Sequence, residues 1–361
     1  MPDRRRSLRD SRSRRVARPA LIATTLAGGM AATALAERRH LRALTDDPDL
    51  RALSAPLADI TSEHTIHTVR SADGTLLHAE RFGGADAPAT LVLAHGWTEA
   101  IPFWGPIIRR LASDDLTLVA YDLRGHGKSE TAREDDYALE RFGEDLEAVL
   151  DALGGEPTRT AVAGHSLGAM SIAAWAAARE VRSRIGAAAM INTGLSNLIG
   201  GALVLGEIGS RLAPAWVSRT LLGSGRPLLP VSTPISLAIA RHVAFGPDAS
   251  AGTVAFYERM LMATDAGVRG AVGITLSTLD VAAAAARIDV PTLVIAGDRD
   301  RLTPAAHAEA IHRALPDPAG LRVLDRTGHM SPLERPDEVA EALGELLTSA
   351  LTAGMRSEVA G

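Results

Sequence analysis

The chain has 361 residues, 46% of them hydrophobic and 22% charged, and its formal net charge at pH 7 is −5. These values are typical of a globular protein with one large domain and an insertion, or with two smaller domains. The absence of cysteine excludes disulfides, cysteine-ligated zinc and a thiol nucleophile.

Positive charge is concentrated at the start of the chain. Residues 1–18 contain eight arginines and two aspartates, which leaves a net charge of −11 on residues 19–361. An acidic body argues against a nucleic-acid partner. An arginine-rich arm before an apolar segment suits an anionic membrane surface or an export signal.

The uncharged residues 20–36 follow this arm. As a helix they would span only about 26 Å, short of a hydrocarbon core of about 30 Å. Three interpretations remain open for residues 1–40: an uncleaved signal anchor or membrane-surface helix, a cleaved export signal, or a packed helix on a soluble enzyme. We expect a membrane-associated or exported protein, with a cytoplasmic one as the alternative.

Strand and helix patterns alternate through most of the chain. Residues 41–63 are polar and are predicted as a linker with a short helical or irregular lead-in. Residues 65–69 and 76–82 flank an Asp-Gly turn and predict a β-hairpin. Short apolar runs predict parallel strands buried on both faces at residues 91–94, 116–120, 160–163, 187–191 and 292–296. A further strand is predicted at residues 321–324. Helical spacing occupies residues 107–111, 139–153, 167–178 and 305–315.

The alternation predicts an α/β fold with a mostly parallel, doubly wound sheet. Residues 195–285 contain no good strand and are too long for a loop, so we expect a helical cap inserted over the sheet. The predicted core is therefore residues 64–194 and 286–350, with a tail at residues 351–361.

One short motif suggests a nucleophile. The apolar run that begins at Thr160 reaches Gly164-His165-Ser166-Leu167-Gly168 and continues into a predicted helix. A nucleophilic serine needs a strained strand-to-helix turn, and small residues two before and two after it let the backbone close. We expect Ser166 to be the nucleophile and His165 to be structural.

Candidates for the other catalytic roles also follow predicted strands. Asp300 could orient a base, with Asp298 as a turn-former or substitute, and His329 could be that base. The backbone N–H groups of Trp97 and Leu167 could form an oxyanion hole.

These motifs resemble those of the α/β-hydrolase superfamily, in its cap-bearing serine-hydrolase branch, over residues 64–350. The matching segments are His95-Gly96-Trp97, residues 121–129, Gly164-His165-Ser166-Leu167-Gly168, residues 297–300 and Gly328-His329-Met330. The resemblance implies Ser166 as nucleophile, Asp300 as acid and His329 as base. Epoxide hydrolases and haloalkane dehalogenases of this fold use aspartate as the nucleophile, so Ser166 argues against both.

The expected function is a cofactor-independent serine hydrolase that acts on a small carboxylic ester with an apolar acyl group. Alternatives on the same triad are perhydrolase or haloperoxidase-like activity and hydrolysis of C–C bonds, thioesters or lactones. A weakly catalytic small-molecule-binding protein of this fold is a further alternative. We expect no metal, because no His-Glu-x-x-His spacing occurs, and no nucleotide, because Asp122 replaces the first glycine of a phosphate loop.

Overall fold

The computed structural model describes residues 37, 39, 41–61, 63–84, 87–198 and 232–359. The strands are β1 (His64–Arg70), β2 (Leu76–Phe82), β3 (Ala89–Ala94), β4 (Leu116–Tyr121), β5 (Thr160–His165), β6 (Ala187–Ile191), β7 (Thr292–Gly297) and β8 (Pro318–Leu324). They form one sheet in the order β1-β2-β4-β3-β5-β6-β7-β8.

The pairing confirms the predicted hairpin and the doubly wound sheet. β1 and β2 pair antiparallel, as do β2 and β4, whereas all pairs from β4 to β8 are parallel. In the hairpin turn, Gly74 has a φ of 89°, and the Thr75 amide donates to Asp73 Oδ1 at 2.9 Å. Glycine tolerates this φ without steric cost, and the aspartate side chain closes the turn.

Helices connect the strands and cover both faces of the sheet. They are α1 (Pro48–Leu53), α2 (Gly105–Leu111), α3 (Leu139–Leu153), α4 (Leu167–Ala177), α5 (Pro234–Ala244), α6 (Ala251–Ala263), α7 (Ala266–Ser277), α8 (Ala305–Ala314), α9 (Ser331–Glu334) and α10 (Pro336–Val359). Short 3-10 helices lie at Leu57–Asp59, Ile101–Trp104, Arg133–Asp135, Pro157–Arg159, Val181–Ser183 and Ala282–Arg287.

The core consists of two apolar layers, one on each face of the sheet. Val92 belongs to the layer that includes α3 and α4, whereas Leu91 and Leu93 belong to the layer that includes α2 and α10. Neighbouring strand residues point to opposite faces. Continuous apolar runs are therefore required in the central strands.

Two segments differ from the expected boundaries. Residues 41–63 are not a free linker, because Leu44 and Leu50 are buried and Asp47 accepts from the Gly252 amide at the start of α6 at 3.0 Å. The expected tail is helical through residue 359 as part of α10. Pro336 begins this helix and no proline follows to end it.

The helices between β6 and β7 lie against loops at the carboxyl ends of the strands. Tyr257 of α6 contacts Thr98 through their hydroxyl oxygens at 3.2 Å. Thr275 of α7 donates to the Tyr137 carbonyl at 2.8 Å. Residues 199–231 lie outside the described residues, so the limits of the cap stay a prediction.

The predicted apolar segment at residues 20–36 also lies outside the described residues. Among the helices that are described, none has the length and apolar character needed to cross a membrane.

Candidate active site

Ser166 lies at the sharp turn between β5 and α4. Its φ of 49° and ψ of −113° are far from either element, and its side chain does not cap the helix that it precedes. Ser166 is partly exposed, whereas residues 161–165 and 167–170 are buried. The turn therefore lifts one hydroxyl out of an otherwise buried segment, at a strain cost of about 1–3 kcal/mol.

Glycines permit the close approach that this turn needs. A Cβ on Gly164 would lie 2.4 Å from the Ala169 amide nitrogen, and one on Gly168 would lie 2.1 Å from the Ala94 carbonyl oxygen. Real Cβ atoms do not approach backbone atoms this closely. The small residues around Ser166 are thus required by packing, as the sequence indicated.

Asp300 and His329 form a buried hydrogen-bonded pair. His329 Nδ1 lies 2.8 Å from Asp300 Oδ2, and the two residues are 4% and 3% exposed. With its proton on Nδ1, the imidazole donates to the carboxylate and leaves Nε2 as an acceptor. No other described residue bonds to this Nε2.

Several groups hold the Asp300 carboxylate in place. The amides of Leu302 and Thr303 donate to Oδ1 at 2.9 Å each, and the Thr303 hydroxyl donates to Oδ2 at 2.8 Å. Asn192, which directly follows β6, donates through Nδ2 to Asp300 Oδ2 and to the Gly328 carbonyl, both at 3.1 Å. Asn192 therefore joins the acid to the loop that carries His329.

The environment favours the charged forms of this pair. Burial raises the pKa of the Asp300 carboxyl, but the charge and hydrogen bond of His329, with hydrogen bonds from Thr303 and Asn192, together leave the pKa below its usual value. Burial lowers the pKa of the His329 imidazole, yet the charge and hydrogen bond of Asp300, with the charges of Glu99 and Glu334, together leave the pKa above 6.5. The pair is therefore suited to stabilise an imidazolium that forms during a reaction.

Asp298, the alternative acid, is engaged elsewhere. Its Oδ1 accepts from the Thr327 amide at 3.1 Å, and its Oδ2 lies 3.2 Å from Arg299 Nε. The side chain is exposed and serves the turn before His329.

His165, the residue before Ser166, has its ring 4.9 Å from the His329 ring. No hydrogen bond among the described residues connects Ser166 Oγ to His329. Catalytic hydrogen bonds are often long in a free enzyme and shorten when substrate binds.

Two unpaired amides lie at the same edge of the sheet. Leu167 is the first residue of α4, and Trp97 follows β3. Neither amide donates to another described residue. The packing of Gly168 against the Ala94 carbonyl brings the two segments together. The Trp97 indole packs against the core layer of α3 and α4, and its Nε1 has no hydrogen-bond partner in the described part of the chain.

Glu99 was not singled out by the sequence, and it connects three loops of the site. Its carboxylate accepts from the Gly96 amide at 2.6 Å and lies 3.0 Å from His165 Nδ1. His165 Nε2 lies 2.8 Å from the His329 carbonyl oxygen. The available signal for Glu99 was a carboxylate in the loop after β3, and for Asn192 it was an amide side chain directly after β6.

Within the described ranges, no three histidine, aspartate or glutamate side chains are grouped closely enough to hold a metal ion.

Hydrogen bonds hold the loop at residues 122–129, the segment compared above with a phosphate loop. Asp122 accepts from the amides of Ile101 at 2.7 Å and Lys128 at 2.8 Å, and His126 Nδ1 contacts the Arg124 carbonyl at 2.9 Å.

Comparisons with known proteins agree with this fold. A family model described as the alpha/beta hydrolase fold matches residues 89–336. RutD of Pseudomonas savastanoi pv. phaseolicola, a protein named as a carbamate hydrolase, is 30% identical over 70% of this chain and 90% of its own length. RutD of Variovorax paradoxus is 35% identical, but over 26% of this chain and 34% of its own length. The chain thus spans about a third of the first curated relatives that it matches.

Solved structures show the same fold. An esterase from Thermogutta terrifontis superposes with a TM-score of 0.63 at 20% sequence identity, covering 79% of this chain and 99% of that protein. Because the family model matches well over half of the chain, the protein belongs to the α/β-hydrolase fold family.

Proposed function

We propose that this protein is a serine hydrolase of carboxylic esters, with Ser166 as nucleophile, His329 as base and Asp300 as acid. The observation that carries the proposal is a partly exposed serine on a strained turn at the sheet edge where a buried Asp-His pair is already hydrogen-bonded. Each of these groups follows a different parallel strand, so the sheet itself brings them together.

The proposed reaction begins with proton transfer from Ser166 Oγ to His329 Nε2. Oγ attacks the acyl carbon, and the carbonyl oxygen becomes an oxyanion held by the N–H groups of Trp97 and Leu167. Asp300 stabilises the imidazolium. Collapse of the intermediate breaks the ester bond. The leaving oxygen takes the proton from His329 Nε2 and departs as an alcohol.

Water then completes the cycle. His329 removes a proton from water as the hydroxide attacks the acyl carbon of the acyl-enzyme, and a second oxyanion forms in the same hole. Its collapse releases the carboxylic acid and returns the proton to Ser166 Oγ. No cofactor is needed for this balance of atoms.

An apolar acyl group suits the helices that face the site. The contact between Tyr257 and Thr98 brings α6 over the loop that carries Trp97. Val254, Ala255 and Phe256 of the same helix are buried in apolar packing. We therefore propose that α5–α7 belong to a cap that excludes water and receives an apolar acyl chain.

A labelling experiment tests the proposal directly. An activated alkyl fluorophosphonate should label the wild-type protein at Ser166, as seen by mass spectrometry of peptides, and the same protein should hydrolyse p-nitrophenyl esters. Ser171→Ala is a matched control because Ser171 lies on α4 and its hydroxyl donates to the Gly168 carbonyl. Labelling that persists in Ser166→Ala would contradict the proposal.

We also propose that residues 1–40 associate with membranes, on the basis of the eight arginines before the apolar residues 20–36. Full-length protein should sediment with membranes, and deletion of residues 1–40 should release it with ester turnover retained. The deletion spares Leu44, which is buried ahead of α1. Full-length protein found wholly in the supernatant would contradict this proposal.

A further inference from the structure

A basic cavity of about 440 Å³ lies outside the candidate active site. It is formed by the carboxyl-terminal end of α5 and by the loops that follow β7 and β8. Four arginines line it, namely Arg241, Arg299, Arg301 and Arg326. Such a concentration of cations is unexpected on a chain whose residues 19–361 carry a net charge of −11.

Two of these arginines have no carboxylate partner within the described residues. Arg301 Nη1 donates to the His242 carbonyl at 2.8 Å, and Arg241 Nη1 donates to the Ala249 carbonyl at 2.5 Å. A carbonyl orients a guanidinium but does not neutralise its charge. Each guanidinium also keeps further N–H donors for another acceptor.

The nearby carboxylates pair with other arginines. Arg326 and Arg335 share Asp248, and Arg299 Nε lies 3.2 Å from Asp298. The charge of Asp325 also stabilises the charged form of Arg326 and raises its pKa. Arg335 also lies 3.7 Å from Glu338. Arg241 and Arg301 contact only carbonyl oxygens among the described residues, so their charges are not neutralised by these carboxylates.

We propose that this cavity binds a phosphate group. Guanidinium groups bind phosphate oxygens through paired N–H donors, and the planar fork of arginine suits this geometry better than a lysine ammonium. The volume is within the usual range for small-ligand sites, about 300–1,000 Å³.

The position of the cavity gives the bound phosphate a structural effect. Arg241 belongs to α5, whereas Arg299 and Arg301 flank Asp300, and Arg326 lies three residues before His329. A phosphate between them would join the proposed cap to both loops that carry the acid and the base. This inference does not rest on the proposed function, because binding is measurable without turnover.

The first test is binding of inorganic phosphate to the full-length protein, measured by calorimetry and by thermal unfolding against chloride at equal ionic strength. We expect saturable binding and a higher melting temperature, also in Ser166→Ala. Arg241→Gln and Arg301→Gln should each weaken binding about tenfold or more, because each removes a charged hydrogen-bond donor. Arg322→Gln is the matched control, since Arg322 pairs with Glu345 outside the cavity.

A second test distinguishes two sources of phosphate. Ile235 and Ile239, one turn apart on α5, are 73% and 59% exposed, which suits contact with lipid. Vesicles of phosphatidylglycerol and of phosphatidylcholine should therefore be compared, using wild type and the Arg241→Gln/Arg301→Gln double variant.

Each outcome decides the proposal. Arginine-dependent binding of inorganic phosphate without arginine-dependent vesicle binding supports a small phosphate-bearing ligand. Arginine-dependent binding of phosphatidylglycerol vesicles supports a lipid headgroup. Three results would overturn the site. The double variant could bind phosphate and vesicles as well as wild type does, or phosphate and chloride could raise the melting temperature equally. Arg322→Gln could also weaken phosphate binding as much as Arg241→Gln and Arg301→Gln do.

Discussion

At the scale of single residues, the reactivity proposed for Ser166 depends on groups that differ in what they contribute. Ser166 and His329 would exchange the proton itself, whereas Asp300 would hold and stabilise the ring that carries it. Asp298 lies two residues away but bonds to the Thr327 amide. Substitutions at these positions should therefore have different costs.

Replacement of the triad residues should produce graded losses. Ser166→Ala and His329→Ala should each lower kcat by several orders of magnitude, and the double variant should be little worse because the two act together. Asp300→Asn should cost about 10⁴-fold or less. Asp298→Asn is the control and should cost little. Steady-state kinetics with an activated ester would measure these effects, and a larger loss in Asp298→Asn than in Asp300→Asn would reverse the assignment of the acid.

The pH dependence of kcat/KM should follow His329. The base must be neutral to accept a proton, and its pKa is raised above 6.5, so activity should increase with pH through that raised pKa and then level off. The charge of Glu99 contributes to raising this pKa. Glu99→Gln should therefore shift the acid limb to lower pH, while Glu345→Gln, an exposed control, should leave it unchanged. An unshifted limb in Glu99→Gln would limit Glu99 to a structural role.

Motif spacing predicted Ser166, Asp300 and His329 as candidates because each follows a strand and the strand ends share one edge. It did not identify Glu99 or Asn192. Their contacts, with His165 and with Asp300, join segments that are 66 and 108 residues apart in the chain. Such pairings depend on which strands become neighbours, and local sequence does not contain that information.

At the scale of elements, α3 is attached to the sheet by a buried ion pair as well as by apolar packing. Arg124, in the loop after β4, donates through Nε and Nη2 to Asp145 of α3 at 2.7 and 2.6 Å, and both side chains are fully buried. A buried pair with two parallel hydrogen bonds is strongly destabilised when one partner is lost, because the other charge stays behind.

Asp145→Ala should lower the free energy of unfolding by about 3–5 kcal/mol, because it leaves the Arg124 guanidinium buried without its main partner. Asp151→Ala, on the same helix, removes an exposed pair with Arg184 and should cost about 1 kcal/mol or less. Urea unfolding of both variants would measure the difference. Equal losses would show that apolar packing alone holds α3.

The helices and strands also show which sequence patterns predict element bounds well. The predicted bounds of α3 and β6 agree with the structure, since strong apolar periodicity within one segment determines both. The helix α1 was not predicted with the same clarity. Its single buried side chain, Leu50, and its cap Asp47 gain their importance from contact with α6, about 200 residues later in the chain.

At the scale of the whole molecule, α5–α7 lie against the loops at the carboxyl ends of the strands, where the candidate active site is. The proposed cap should favour esters with longer apolar acyl chains, so kcat/KM should rise from p-nitrophenyl acetate to the octanoate. Each added methylene that becomes buried contributes about 0.8 kcal/mol. Lactones and thioesters in the same assay test the alternative substrates. A steady fall from acetate to octanoate would contradict the apolar pocket.

One hydrogen bond connects α5, a helix of the proposed cap, to the proposed base His329. The His329 amide donates to the carbonyl of Ala244, the last residue of α5, at 2.7 Å. If α5 moves away to admit substrate, this amide loses its acceptor and the loop of His329 loses a support. His329 would then be fully positioned as a base only while α5 stays against its loop, so substrate entry and catalysis could not occur in the same conformation. Amide hydrogen exchange at His329 would report each opening event.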